Sequence, residues 1–304
     1  KLTEKNYNSD LVLRLAPTGY RVFPEYNLKK QVSIMKALFS KGLPVPEVLF
    51  YEGNSSIIGS EFYIMNYIKG EAPSDNPPYH LDPDGMMGRA DSEKRRNVWI
   101  DWLFHLSNLH NLDLKDINLD DFSEDDINRN PIISDIEYYK NFLDWGMDGE
   151  PNNLCDDVIN WLKKNIPSDS NPNKLCWGDS RLGNVLYQDY KASALLDWEM
   201  SSIGDPISDL AWGFAVDDAS SLGLGIKKLE GSLTSREAID IWEKNTNLSS
   251  KNYKFYRIFS LLKFSIIMIR VAKKLVINNI IELEKDFYKN NYISNFLEKE
   301  FKEI

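Results

Sequence analysis

Three oxygen-bearing side chains stand at spacings that suit phosphate chemistry. Asp179 and Asn184 lie in the run Trp177-Gly178-Asp179-Ser180-Arg181-Leu182-Gly183-Asn184, which places a carboxylate and an amide oxygen on one tight loop. An apolar strand containing Val185 and Leu186 leaves that loop. A second, Ala194-Leu195-Leu196, returns and delivers Asp197 to the same end of the hairpin. Asn184 and Asp197 thereby converge as hard oxygen ligands, the kind magnesium takes while keeping waters and phosphate oxygens in the rest of its shell. Asp179 is left to accept a proton from an incoming hydroxyl. Alone, Asp179 reads as a turn residue beside Gly178 and Gly183, and Asp197-Trp198-Glu199 as a strand-end cap. Together with Gly204-Asp205-Pro206 and Asp209-Leu210 the run reads as one chemical unit.

This unit resembles the core of the aminoglycoside phosphotransferase-like kinases, which share the protein-kinase fold. In form it looks like one branch, the one found fused to acyl-CoA dehydrogenases and in stand-alone bacterial proteins. Trp177 stands where the family usually has histidine. The resemblance covers nearly the whole chain and implies transfer of the γ-phosphoryl group of ATP to a substrate hydroxyl, with ATP and Mg²⁺ as cofactors. It implies Asp179 as catalytic base. In a loose phosphoryl-transfer transition state the hydroxyl proton leaves late, so positioning outweighs basicity. It further implies Asn184 and Asp197 as metal ligands and Arg14 as the phosphate-binding cation. Residues 65–68 become the hinge: Met65 belongs to it, and the carbonyl of Asn66 and the amide of Ile68 would meet adenine. Asp209 would bond the backbone of the catalytic loop, and His110 would close the helix end packed near it. Glu199 is a supporting acid. Arg181 is open between pairing with Asp205 or Glu199 and touching substrate or phosphate. Two departures stand out. Gln31 occupies the helix position where a glutamate should meet the strand cation, so an Arg14–Gln31 hydrogen bond would lack an ionic component. The family's Gly/Ser-rich phosphate loop is not seen. The chain opens at Lys1, near the end of the family's second strand, and its start is expected to be missing.

The elements that must position these groups follow from pattern. Leu11–Leu15 reads as a strand stopped by Ala16-Pro17-Thr18-Gly19. Residues 27–41 carry Leu28, Val32, Met35, Leu38 and Phe39 at helical spacing, closed by Gly42. Strands follow at Val48–Tyr51 and Phe62–Ile68. After Gly70, residues 71–91 are rich in Pro, Asp and Gly and read as a loop. Residues 92–110 read as a helix with Ser92 as N-cap, burying Val98, Trp102, Leu106 and Leu109. Residues 113–126 hold seven acids and one lysine, and read as a solvated connection. Helices are expected at 133–146 and 152–165, paired short strands over 174–198, and helices across 206–304. The expected fold class is α+β, a bilobal protein-kinase-like fold, with a small β-rich N-lobe over 1–68 and a larger helical C-lobe over 69–304. His105 reads as a satisfied core histidine and Trp177 as a wedge under the catalytic loop.

Composition bounds the rest. The 304 residues include 36 Lys plus Arg against 46 Asp plus Glu, a net charge of −10 that argues against a nucleic-acid partner. Two cysteines make no disulfide framework and fit a reducing, cytoplasmic setting. The apolar stretch 255–277 is interrupted by Arg257, Lys263 and Arg270 and reads as a core helix rather than a membrane span. Phosphate-loop, dinucleotide-binding, nucleophile-elbow and zincin motifs do not occur. The leading reading is therefore a small-molecule kinase. Its acceptor is open between a hydroxy acid or hydroxyacyl-CoA and an aminoglycoside. The acidic run 113–126 fits the latter. A basic stripe of Lys263, Arg270 and Lys274, at i, i+7 and i+11, fits the former. A catalytically weak nucleotide-binding module is the reading motivated by Gln31, and a divalent-metal hydrolase built on the same carboxylates is a further one. Oligomeric state is not encoded legibly.

Overall fold

The computed structural model describes residues 10–117, 122, 131–280 and 286–304. Most of the acidic run 113–126 lies outside the described residues. The first strand, β1 (Leu11–Leu15), alternates: Leu13 and Leu15 face outward at 46% and 45% exposure, which turns Arg14 to the opposite face. Helix α1 (Leu28–Ser40) starts at Asn27, whose side chain accepts from the Lys30 amide, and buries Leu28, Gln31, Val32, Met35 and Leu38. Strands β2 (Val48–Glu52) and β3 (Phe62–Asn66) complete an antiparallel sheet of order β1-β3-β2, in which Arg14 stands opposite Tyr63. This small sheet with one helix is the β-rich lobe expected from sequence.

The chain leaves the sheet through Gly70. A side chain there would be jammed, because a Cβ would stand 2.8 Å from the Cβ of Leu186. Glu71 and Tyr187 then exchange backbone hydrogen bonds at 2.9 and 2.8 Å, tying the connector to the hairpin that follows Asn184. The 71–91 segment contains the short helix α2 (Met86–Arg89). It is held at Tyr79 and His80, both bonded to the buried carboxylate of Asp217.

Helix α3 (Ser92–Asn111) buries Val98, Trp102, Leu106 and Leu109 as expected. Its N-cap is Asp91, not Ser92: the Asp91 carboxylate accepts from the Lys94 amide at 2.8 Å, and a negative group suits the positive helix start. Helices α4 (Pro131–Met147) and α5 (Asn153–Lys164) match the expected positions within about two residues. The strands around the Trp177–Asn184 run pair differently from expectation. β5 (Val185–Gln188) and β6 (Lys191–Leu195) form the hairpin, whereas β4 (Lys174–Cys176) pairs with β7 (Ser202–Gly204), beyond the 174–198 window. Three-residue strands carry too little alternation to reveal a partner 26 residues away.

Helices α6 (Ile207–Ala219), α7 (Ser235–Thr246), α8 (Tyr253–Ile277) and α9 (Tyr292–Lys302) build the helical lobe, with α8 against α4, α5, α6 and α9. The stretch read as a core helix is indeed α8. Among the described residues no helix is long and apolar enough to cross a membrane. Cys155 and Cys176 are both free and buried. The 16–27 segment between β1 and α1 rests on the helical lobe. Phe23 packs against Phe142 at 5.9 Å between ring centroids, and Arg270 donates to the Arg21 carbonyl.

Candidate active site

The Trp177–Asn184 loop is held from beneath by one buried carboxylate. Asp209, on the first turn of α6, accepts from the backbone amides of Trp177 at 2.7 Å and Gly178 at 2.8 Å. Its backbone carbonyl takes the hydroxyl of Ser180 at 2.6 Å. His110, at the end of α3, lies 3.1 Å from Asp209 through Nε2. The Trp242 indole donates to His110 Nδ1 at 2.9 Å, which leaves the ring proton on Nε2 to reach Asp209. Trp102 adds a hydrogen bond to the Ser180 carbonyl at 2.8 Å. Gly178 has φ +85°, and a Cβ would stand 2.0 Å from the carbonyl oxygen of Met200, so the turn preceding Asp179 admits only glycine. Trp177 is buried, stacks on Trp198 at 5.4 Å and donates to the Leu196 carbonyl, acting as the expected wedge.

The hairpin then brings the oxygen ligands together. The Leu196 amide donates to the Asn184 carbonyl at 2.8 Å, fixing the two strand ends to each other. The Asn184 amide nitrogen donates to the Asp179 backbone carbonyl at 2.9 Å, so its side-chain oxygen is the end left for a ligand. Asp197 has φ +60°, a conformation uncommon for a residue with a Cβ and typical of functional turns. Its Oδ1 is buried and has no hydrogen-bond partner. Burial, and then the neighbouring Asp179, push the Asp197 carboxyl above the usual range. This oxygen faces the Arg14 guanidinium at 3.8 Å without a hydrogen bond, and beside a second carboxylate it fits a bound cation. Among the described residues no group of three or more His, Cys, Asp or Glu converges on one point. A cation here would rest on Asn184 and Asp197 and fill its shell with phosphate oxygens and water, which is how magnesium is commonly held.

The Asp179 carboxylate is gripped on both oxygens. The indole N–H of Trp212 donates to Oδ1 at 2.6 Å, and Arg181 Nε donates to Oδ2 at 3.1 Å. Arg181 also pairs with Asp75 in the 71–91 segment, so its partners are Asp179 and Asp75, not Asp205 or Glu199. Those two carboxylates outweigh the cost of burial and raise the Arg181 pKa, which keeps the guanidinium charged. Asp205 is occupied elsewhere, accepting from Asn171 at 2.8 Å.

Arg14 reaches the site from β1. It bonds Glu199 at 3.0 Å and lies 3.8 Å from Asp197. The Gln31 contact that the helix position allowed is replaced by this ion pair, because Glu199 offers a charge where Gln31 offers only a dipole. Burial, together with Asp197, lifts the Glu199 carboxyl to about 7. Met65 and Asn66 end β3, and Asn66 Nδ2 donates to Glu47 at 3.1 Å. Among the described residues the Ile68 amide has no backbone partner. Lys30 clasps the lobes together by donating to the Ser201 carbonyl at 3.0 Å.

Sequence reasoning passed over Trp212 and Asp75. Trp212 carried a signal: it follows Asp209 by three residues in Asp-Leu-Ala-Trp, on the same face of one helix. Asp75 sits in an irregular segment and carried none. The basic stripe also divides. Arg270 is buried between the rings of Tyr20 and Trp145, at 4.1 and 3.9 Å, and is spent on the Arg21 carbonyl, while Lys274 is exposed. Lys263 alone faces the Trp212 ring.

A small sheet above a helical lobe, with an aspartate loop, an asparagine and a second aspartate between them, defines a protein-kinase-like phosphotransferase fold. The sequence profile of the phosphotransferase enzyme family (APH) matches residues 1–240, and the chain belongs to that family. It is 30% identical over 203 residues to acyl-CoA dehydrogenase family member 11 of Homo sapiens, a match that covers 66% of this chain and 24% of that protein. The chain thus spans about a quarter of that relative's length. A Ralstonia eutropha protein assigned provisionally to the aminoglycoside phosphotransferases superposes with a TM-score of 0.70 at 18% identity, covering 98% of this chain and 93% of the other. A thermostable aminoglycoside phosphotransferase in ternary complex with AMP-PNP and hygromycin B superposes with a TM-score of 0.55 at 15% identity, covering 97% and 85%.

Proposed function

We propose that this chain is an ATP- and Mg²⁺-dependent kinase that transfers the γ-phosphoryl group to a hydroxyl of a small molecule. The observation that carries this reading is the gathering of Asp179, Asn184 and the buried Asp197 Oδ1, which accepts no hydrogen bond, at one end of the β5–β6 hairpin. In this reading Asn184 and Asp197 hold Mg²⁺, which when bound offsets the charge that develops on the phosphates. Arg14, held in place by Glu199, meets the phosphate oxygens, and the segment Met65–Ile68 receives the adenine. Asp179 accepts the hydroxyl proton as the oxygen–phosphorus bond forms, and Trp212 and Arg181 fix where its lone pairs point. A nucleotide complex of a protein with the same fold supports ATP as the donor.

For the acceptor we favour a hydroxy acid or a hydroxyacyl-CoA over an aminoglycoside. Lys263 beside the site and a relative that carries acyl-CoA dehydrogenase in its name support this choice. Incubation with Mg²⁺ and γ-labelled ATP tests it, using hydroxybutyrates, their coenzyme A thioesters, ethanolamine and kanamycin as acceptors. Label is expected on a hydroxy acid or its thioester. Label on kanamycin and on no hydroxyacyl compound reverses the choice of acceptor.

A further inference from the structure

Lys263 stands at the middle of α8 with its ammonium over three aromatic rings: 5.2 Å from the Trp212 centroid, 5.4 Å from Phe259 and 5.5 Å from Tyr139. The same Trp212 donates its N–H to Asp179, so a single indole separates this cation from the candidate base. Among the described residues no carboxylate lies within ion-pair distance of Lys263. Asp179 is taken by Arg181 and Trp212, and Asp209 by His110 and two backbone amides. Burial pulls the Lys263 pKa below the usual lysine range, and Asp135 on α4 is the acid that opposes this most strongly from a distance. An ammonium kept among rings without a direct counter-ion retains capacity for an anionic or carbonyl oxygen. The rings bear on selectivity as well. An aromatic wall beside a phosphoryl-transfer site could stack on an ammonium-bearing acceptor, and here the protein's own cation already covers it.

We propose that Lys263 is the acceptor-recognition residue of this site, binding the carboxylate or thioester carbonyl oxygen of the substrate whose hydroxyl meets Asp179, and that it excludes cationic acceptors. This proposal deepens the kinase reading and rests on it for the position of the acceptor hydroxyl. A carboxylate and a thioester carbonyl present the same oxygen to Nζ, and the probes separate them.

The test combines turnover with binding. Full-length protein and the variants Lys263→Met and Lys263→Arg are first matched by circular dichroism and thermal melting. They are then assayed with Mg·ATP against 2-, 3- and 4-hydroxybutyrate, the corresponding coenzyme A thioesters, and ethanolamine. Binding of the same acids and thioesters to Asp179→Asn, with and without Lys263→Met, is followed by calorimetry. Lys263→Met is expected to raise the KM of the accepted acid or thioester by 10- to 100-fold and leave the KM for ATP unchanged, with partial rescue in Lys263→Arg. The free acids respond if the carboxylate is the ligand, and the thioesters alone if the carbonyl is. An unchanged acceptor KM in Lys263→Met, or better turnover of ethanolamine than of any acid or thioester by the wild type, overturns the proposal. So does the absence of binding of every acid and thioester. If the wild type transfers no phosphate while Lys263-dependent binding persists, the kinase reading falls and the recognition role stands.

Discussion

Trp212 and Asp179 are joined by a 2.6 Å hydrogen bond from the indole N–H to Oδ1, across 33 residues of sequence. The bond runs from the buried helix α6 to the Trp177–Asn184 loop and sets the plane of the carboxylate. Trp212→Phe keeps most of the ring and removes the donor. A hydrogen bond to a charged group contributes roughly 1.5–3 kcal/mol, so kcat is expected to fall about 10- to 100-fold. Steady-state kinetics check this, with the KM for ATP expected to hold.

Arg14 and Glu199 form the corresponding link between the lobes, at 3.0 Å. Arg14→Met removes the cation proposed to meet the phosphates and is expected to raise the KM for ATP on the order of tenfold. Glu199→Gln releases Arg14 from its anchor and should raise it less. The two changes share one pair, so the double variant should fall short of their product. A double-mutant cycle on the KM for ATP measures this. Fully multiplicative effects would show that the pair does not act as a unit.

Asp209 is 1% exposed and is the acceptor for two backbone amides. Asp209→Ala leaves both amides and the Nε2 of His110 without a partner in a site closed to water. The expected loss is about 2–5 kcal/mol in urea denaturation. Asp209→Asn keeps one oxygen acceptor and is expected to lose less.

Glu237 provides a pH-dependent test of the fold away from the site. It closes the capping box of α7 with Thr234, and it pairs with Arg96 at 2.8 Å. The Thr234 backbone amide, followed by Arg96, lowers its pKa to about 2 from 4.5. A lowered carboxyl stabilises the fold above its unfolded pKa, and that contribution is lost as pH falls through the folded value. Glu237→Gln retains the capping geometry and removes the charge. Its deficit in melting temperature should be steady from pH 5.5 to 8 and should close as the pH falls from 4.5 toward 2. The side chain is 41% exposed, so screening limits the deficit to about 0.5–1 kcal/mol.

The hairpin of the candidate site was legible because its information is local. A loop of fixed length, two alternating strands and a turn place Asp179, Asn184 and Asp197 within nineteen positions of one another. The Asp209 anchor followed from the family resemblance, which set His110 only at the helix end near it; their direct contact did not. What escaped depends on contacts that no short window contains. The ion pair of Arg14 with Glu199 spans 185 residues, and Arg181 finds Asp75 across 106. Asp91 and Ser92 are both good N-caps, and which one serves is decided by where the first helical turn packs. The basic stripe on α8 was periodic as read. The chain segment at Arg21 then claimed Arg270, and periodicity cannot report such an event.

The central claim concerns one carboxylate. Phosphate transfer from Mg·ATP to a hydroxylated acid or thioester should be measured for the wild type and for Asp179→Asn, with matched circular dichroism spectra and matched nucleotide affinity. Turnover in the variant is predicted to fall by about 10²- to 10⁴-fold. Equal turnover in the two proteins would contradict the account.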